Sequence, residues 1–216
     1  MTLELFPPTE EHSLQFERRL QRQGYKVVAG IDEAGRGPLA GPVLAAAVVL
    51  PKHFELPGLT DSKKLSPAAR ERLFPLIRQQ ALAVGIGLAS PVEIDQLNIL
   101  QATLQAMLRA VNKLRLTPDY LLIDGITPLP HALPQQTLKK GDSRSLSIAA
   151  ASVIAKVVRD RLMVHYDRRF PVYGFAGHKG YGSAAHRQAI ADFGPCPIHR
   201  ASFRGVKEYW PAGTSP

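Results

Sequence analysis

The sequence predicts an α/β fold, a mixed five-stranded sheet flanked by helices, with a helical extension on its C-terminal side. Three observations lead there. Two β-rich apolar runs, residues 26–31 and 42–50, follow one another closely. Helix-period patterning then alternates with short strand-like runs. Gly, Pro and Ser punctuation falls where each element should begin or end.

Residues 1–24 read as a lead-in with a short amphipathic helix over 11–23. The first strand, 26–31, runs into Asp32-Glu33-Ala34-Gly35-Arg36-Gly37-Pro38, a Gly/Pro cluster that ends a strand and makes a loop. The second, 42–50, is apolar throughout, as expected of a strand covered on both faces. Ser66-Pro67 places an N-cap before a first-turn proline and opens a helix toward Gln80. A glycine-softened strand follows over 81–89, and Ser90-Pro91 repeats the cap signal. That second cap predicts one long helix to about Leu116, with Ile94, Leu97, Ile99 or Leu100, Leu104 and Leu108 at the helical period. Pro118 ends it. Residues 120–123 form a short buried strand stopped by Asp124-Gly125, and 135–139 an edge strand beyond a proline-rich loop. Residues 145–169 and 183–193 are helical.

The 216 residues and 45% hydrophobic content suit one domain with a real core and exclude a disordered chain. We divide them into the lead-in and a single domain over 25–216, with a sheet core to about 145 and a helical basic extension over 146–216. The longest apolar run, 43–50, is too short for a membrane span, and Glu4 and Pro7-Pro8 occupy the place of a secretory apolar core. A cytoplasmic location is expected. One cysteine, Cys196, excludes an internal disulfide framework and a cysteine-built zinc site. Of the net charge of +9, residues 1–134 hold 14 basic and 13 acidic side chains, whereas 135–216 hold 13 and 5. A basic last third on a nearly neutral body points to a polyanion, most simply nucleic acid; a soluble protein of basic pI remains the plainer alternative.

Asp32 and Glu33 follow one apolar strand, Asp124 follows another, and Asp142 precedes a helix. Loop edges of one sheet can bring all four together, and such carboxylates repel unless cations neutralise them. Hard divalent ions such as Mg²⁺ or Mn²⁺ prefer these oxygens, and two of them can clamp the attacking and leaving oxygens of phosphodiester cleavage. Singly, Asp124-Gly125 is also a common turn pair, Asp142 a helix cap, and Asp32-Glu33 a solvated strand end. Gly35-Arg36-Gly37 lets backbone groups approach a ligand around a phosphate-seeking arginine; it is equally a turn with an exposed Arg. Lys63 and Lys64 can meet phosphates or form a solvated pair. Lys156, Arg159 and Arg161 share one helix, where Lys156 can face a duplex and the arginines form a solvated face. No metal role is assigned to His178, His186 or His199, and 196–199 is read as structural.

Five segments in order resemble ribonuclease HII, the type 2 ribonuclease H family. They are Gly30–Pro38 (GIDEAGRGP), Asp61–Leu65 (DSKKL), Leu122–Gly125 (LIDG), Lys140-Gly141-Asp142 running into Ser147–Lys156 (SIAAASVIAK), and His178–Gly182 (HKGYG). The resemblance covers about residues 26–205. It implies an RNase H-like fold and a divalent-metal site of Asp32, Glu33, Asp124 and Asp142, with Glu33 serving through side chain or main chain. It implies endonucleolytic cutting of the RNA strand of RNA–DNA hybrids, and incision 5′ of single ribonucleotides in duplex DNA, leaving 3′-hydroxyl and 5′-phosphate ends. Gly35, Arg36 and Gly37 would read the ribose 2′-hydroxyl and Tyr181 would stack on the sugar at the junction, with Lys63 and Lys156 as further substrate contacts. The partners implied are the hybrid and ribonucleotide-containing DNA, met by a monomer.

Two alternatives compete. A type 3 enzyme usually carries an N-terminal substrate-binding domain, for which Asp32 lies too near the start. A non-catalytic nucleic-acid-binding module on the same scaffold would gain nothing from four acids beside phosphates.

Overall fold

A computed structural model of the chain describes residues 14–210. The start of the expected 11–23 helix and the Pro/Ser tail over 211–216 lie outside them. Strands β1 (Val28–Ala34), β2 (Val43–Val49) and β3 (Ala83–Ala89) form an antiparallel meander, and β4 (Tyr120–Asp124) and β5 (Gln135–Leu138) run parallel to β1 on its other side. The sheet order is β3-β2-β1-β4-β5, so β1 is central and β5 an edge, as its polar run predicts. β1 extends past the predicted end, so Asp32 and Glu33 are strand residues rather than loop residues. All of β2 is buried, matching its unbroken apolar run.

Helices cover both faces. Helix α1 (Gln15–Arg22) packs Leu20 beside Val28, Leu122 and Ile148. Helix α2 (Pro67–Gln80) starts at its Ser66 cap, whose side chain accepts from the Ala69 N–H. It lies with α5 (Leu146–Arg169) on one face of the sheet. The face of α5 toward β1 and β2 is built from Ala149, Ala150, Ala151, Val153 and Ile154, all fully buried. A Cβ on Gly30 would sit 2.3 Å from the Ser147 carbonyl carbon, so glycine there lets the start of α5 rest directly on β1. Each large apolar side chain buried in this layer contributes roughly 1.5–3 kcal/mol.

The expected single helix over 90–116 is two. Helix α3 (Pro91–Leu97) closes a capping box between Ser90 and Glu93, and α4 (Ile99–Asn112) restarts after Asn98, whose φ is +70° and whose side chain accepts from the Leu100 and Gln101 N–H groups. This break resets the register. Leu97 and Leu100, predicted to face the core, are 40% and 37% exposed, and α4 instead buries Ala102, Ala106, Met107 and Ala110. Small residues are needed there because the glycines of β3 admit the helix backbone. A Cβ on Gly85 or Gly87 would meet the Ala110 or Ala106 carbonyl oxygen at 2.0 or 2.1 Å. The short helix α6 (Phe175–His178) and α7 (Ala184–Phe193) pack with Leu39, Ala40 and Met163 into a smaller core beside the sheet. Among the described residues no helix is long and apolar enough to cross a membrane.

Candidate active site

Parallel pairing aligns Ile31 with Ile123, so Asp32 and Asp124 stand side by side one step further on, Asp124 at the end of β4 and Asp32 two residues before the end of β1. Both project from the face covered by α5, since side chains alternate and their neighbours Val28 and Leu122 pack against Ile148. Asp142 joins them from a 3-10 turn, Gly141–Ser143, entered through Lys140 in the left-handed region. The Gly141 N–H donates to Asp124 Oδ1 at 2.6 Å and fixes this turn against β4. One carboxylate oxygen from each of Asp32, Asp124 and Asp142 lies within 4.8 Å of the others. Glu33 is not in this trio, because strand alternation sends its side chain to the opposite face. Its N–H donates to Asp32 Oδ1 at 2.7 Å, and its carboxylate lies 3.5 Å from Arg36 Nη1.

The trio is only partly compensated from within. Asp32 is 2% exposed, and its Oδ2 is buried without a hydrogen-bond partner. Burial, then the charges of Glu33 and Asp124, push its carboxyl well above the usual range, while the nearby Ser152 hydroxyl and the Glu33 N–H pull it back only in part. Burial and Asp124 raise Asp142, and burial raises Glu33 despite Arg36. An orphaned buried oxygen among mutually repelling carboxylates is the donor set a hard divalent cation fits. Lys63 gives partial neutralisation, with Nζ 3.4 Å from Asp142 Oδ2 on a side chain otherwise 73% exposed. Burial opposes its charge, but Asp32, Asp142 and Asp61 raise its pKa overall. Lys64 is exposed beside it.

The loop after β1 is organised by two cations that sequence reasoning misplaced or missed. Arg159, expected on a solvated face, is buried. It donates to the carbonyls of Pro42, Ala40 and Lys179 at 3.0–3.1 Å, and a Cβ on Gly35 would lie 1.9 Å from its Nε. Gly35 also has φ +93°, so only glycine fits there without strain. Arg200, which no sequence pattern singled out, is fully buried and donates to the carbonyls of Gly35, Arg36 and Gly41. Burial, then Arg159, lowers its pKa to about 9, which leaves it charged at neutral pH. Arg161 matches the solvated expectation and pairs with Glu71 at the surface.

Arg36 and Gly37 are exposed, and the Tyr181 ring lies against Gly37, within 3.7 Å of where a Cβ would be. Lys156 Nζ stands 5.9 Å above that ring and pairs with Asp160 at 2.8 Å, so its charge is already partly met. Ser62 and Ser152, both in segments that carry the resemblance, bond through their hydroxyls at 2.7 Å beneath Asp32. Their place in those segments was the signal that could have marked them. The histidines lie in the smaller core. The Cys196 N–H donates to His199 Nδ1, His199 Nε2 meets His186 Nε2 at 3.0 Å, and His186 Nδ1 meets the Tyr181 carbonyl. Their ring nitrogens are engaged with one another and with main chain, and burial lowers both His186 and His199 to a pKa of about 4.

A mixed sheet in this order, with carboxylates side by side on its adjacent parallel strands β1 and β4 and a third beside them, is the arrangement of a metal-dependent nuclease of the RNase H-like class. Within that class, the family described as Ribonuclease HII matches residues 29–206, and the chain belongs to that family. It is 72% identical over 207 residues to a Ribonuclease HII of Syntrophotalea carbinolica, covering 96% of this chain and 99% of the relative. It is 65% identical to one of Geotalea uraniireducens, covering 96% and 97%. Among solved structures it resembles the ribonuclease H2 of Pyrococcus horikoshii, with a TM-score of 0.71 at 28% identity over 85% of this chain and 97% of that one. Bst-RNase HIII in complex with Mn²⁺ shares the fold at a TM-score of 0.61 and 18% identity, over 85% of this chain and 68% of that one. The chain is thus a divalent-metal-dependent ribonuclease H that acts endonucleolytically on RNA–DNA hybrids.

Proposed function

We propose that the enzyme cleaves at RNA–DNA junctions with two divalent cations, Mg²⁺ or Mn²⁺, and incises 5′ of single ribonucleotides in duplex DNA, leaving 3′-hydroxyl and 5′-phosphate ends. The observation that carries this reading is the trio of Asp32, Asp124 and Asp142 around an unpartnered buried oxygen, beside a loop that exposes Arg36 and Gly37. Asp32, Asp124 and Asp142 hold the cations, and Glu33 contributes from the neighbouring face by side chain or main chain. When bound, the cations stabilise charge developing on the scissile phosphate and acidify the attacking water. Lys63 restrains Asp142 and offers a charge to the same phosphate. Gly35, Arg36 and Gly37 meet the ribose 2′-hydroxyl, the group that distinguishes RNA from DNA at one position. Tyr181 stacks on the adjoining deoxyribose, steadied by Lys156 above its ring. The excess of cations over 146–216 attracts the duplex backbone, and we read 25–216 as one catalytic domain.

The test is strand cleavage of a DNA duplex carrying one ribonucleotide, with Mg²⁺, Mn²⁺ or chelator, beside an all-DNA duplex. A single metal-dependent nick 5′ of the ribonucleotide is expected. Cutting of hybrids without that nick would limit the site to hybrid digestion, and equal cutting of all-DNA duplex would remove the junction reading.

A further inference from the structure

The three guanidinium nitrogens of Arg200 are each committed to one main-chain carbonyl. Nη2 donates to Gly35 O at 2.5 Å, Nη1 to Arg36 O at 2.8 Å and Nε to Gly41 O at 3.0 Å. The first two acceptors belong to successive peptide groups. Every peptide bond of the described chain is trans, and in a trans peptide the N–H points opposite to the C=O. With both carbonyls turned inward to Arg200, the N–H groups of Arg36 and Gly37 face outward together. Neither donates to another group among the described residues, and both residues are exposed beside the Tyr181 ring. Two successive amides facing one way form a small nest for an oxygen acceptor.

We infer that Arg200 is a specificity-positioning residue: by holding the Gly35 and Arg36 carbonyls from within, it aims the Arg36 and Gly37 amides at the substrate oxygen that marks a ribonucleotide. The inference rests on the junction reading above and deepens it. Arg159, equally buried, holds the carbonyls of Ala40, Pro42 and Lys179 and none in the 35–37 stretch, so it braces the loop without setting these two amides. Only a planar fork can hold two adjacent carbonyls in fixed relation, and a lysine ammonium at the same place cannot.

The experiment measures affinity for a duplex with one ribonucleotide and for its all-DNA counterpart, in Mg²⁺, with Asp124→Asn present throughout to prevent cleavage. Adding Arg200→Lys should reduce the preference for the ribonucleotide duplex about tenfold, the scale of one or two misaimed hydrogen bonds. Affinity for all-DNA duplex should stay unchanged. Adding Arg159→Lys instead should lower the melting temperature and leave the preference intact. A retained preference with Arg200→Lys, or an equal loss on both duplexes, would overturn the inference. If Asp124→Asn alone shows no ribonucleotide preference, the junction reading itself fails and Arg200 has nothing to aim. Amide exchange provides a measurement that does not depend on the variant folding. The Arg36 and Gly37 amides of the unaltered chain should exchange fast when free and slowly on the ribonucleotide duplex. Slow exchange in the free protein would show them turned inward and would sink the proposal.

Discussion

At the end of the sheet, Asp32 is buried with one oxygen unpartnered and its carboxyl pushed upward by burial and by its acidic neighbours. A few residues along the same chain, the loop over 35–42 rests on Arg159 and Arg200, as deeply buried as Asp32, yet each guanidinium nitrogen has a carbonyl. Both regions bear the desolvation cost of buried charge. They differ in where the compensation comes from. The arginines are compensated by the fold, so they act as braces and require nothing further. The carboxylates are left for a ligand from outside, which is why they can bind and act.

The largest effect should come from removing charge at the uncompensated end. Asp32→Asn should lower metal-dependent cleavage at least about a thousandfold, as loss of a central electrostatic group does, and should raise the stability of the metal-free protein. The sign follows from linkage. Asp32, Glu33 and Asp142 all have folded pKa values above their ordinary ones. Between those limits the folded state binds more protons at these three groups than the unfolded state, so their contribution to metal-free stability falls as pH rises from about 4 through the raised values, whereas His186 and His199, lowered to about 4, contribute a rise between about 4 and 6.5. Urea titrations across that range should isolate the carboxylate part as a difference: the advantage of Asp32→Asn over the unaltered metal-free chain should grow as pH rises, and Mg²⁺ should reverse it. A difference between the two that stays constant or shrinks as pH rises would contradict the uncompensated reading of Asp32.

Breaking the compensated region should leave chemistry secondary and stability primary. Arg159→Met strands three carbonyls, those of Ala40, Pro42 and Lys179, and should cost about 3–5 kcal/mol in denaturant unfolding. A loss under about 1 kcal/mol would mean that water or rearrangement replaces the guanidinium easily. The smallest effect belongs to Arg161, two residues further along the same helix. Its pair with Glu71 is exposed on both sides, and Arg161→Ala should change stability by less than about 1 kcal/mol. Two arginines two residues apart, differing severalfold in cost, would sharpen the contrast between a brace and a surface charge.

Local elements and the chemistry beside them can be read from adjacent residues alone. The serine caps at 66 and 90 were legible because capping is a property of a few adjacent residues. Asp32 and Asp124 were legible because each acid follows an apolar run, although β1 continues past Asp32 to Ala34, and the resemblance to ribonuclease HII named the same residues. The split at Asn98 was not, since apolar spacing continues across it while the backbone turns through positive φ. Which distant residues meet is set by packing. It set Asp142 beside β4 through the Gly141 amide, sent Glu33 to the other face, and buried Arg159 and Arg200 among carbonyls from separate segments. The physical reason is that a main-chain carbonyl is present at every residue and leaves no trace in the sequence. A cation bound to carbonyls therefore looks, until the chain is folded, like any arginine in solvent.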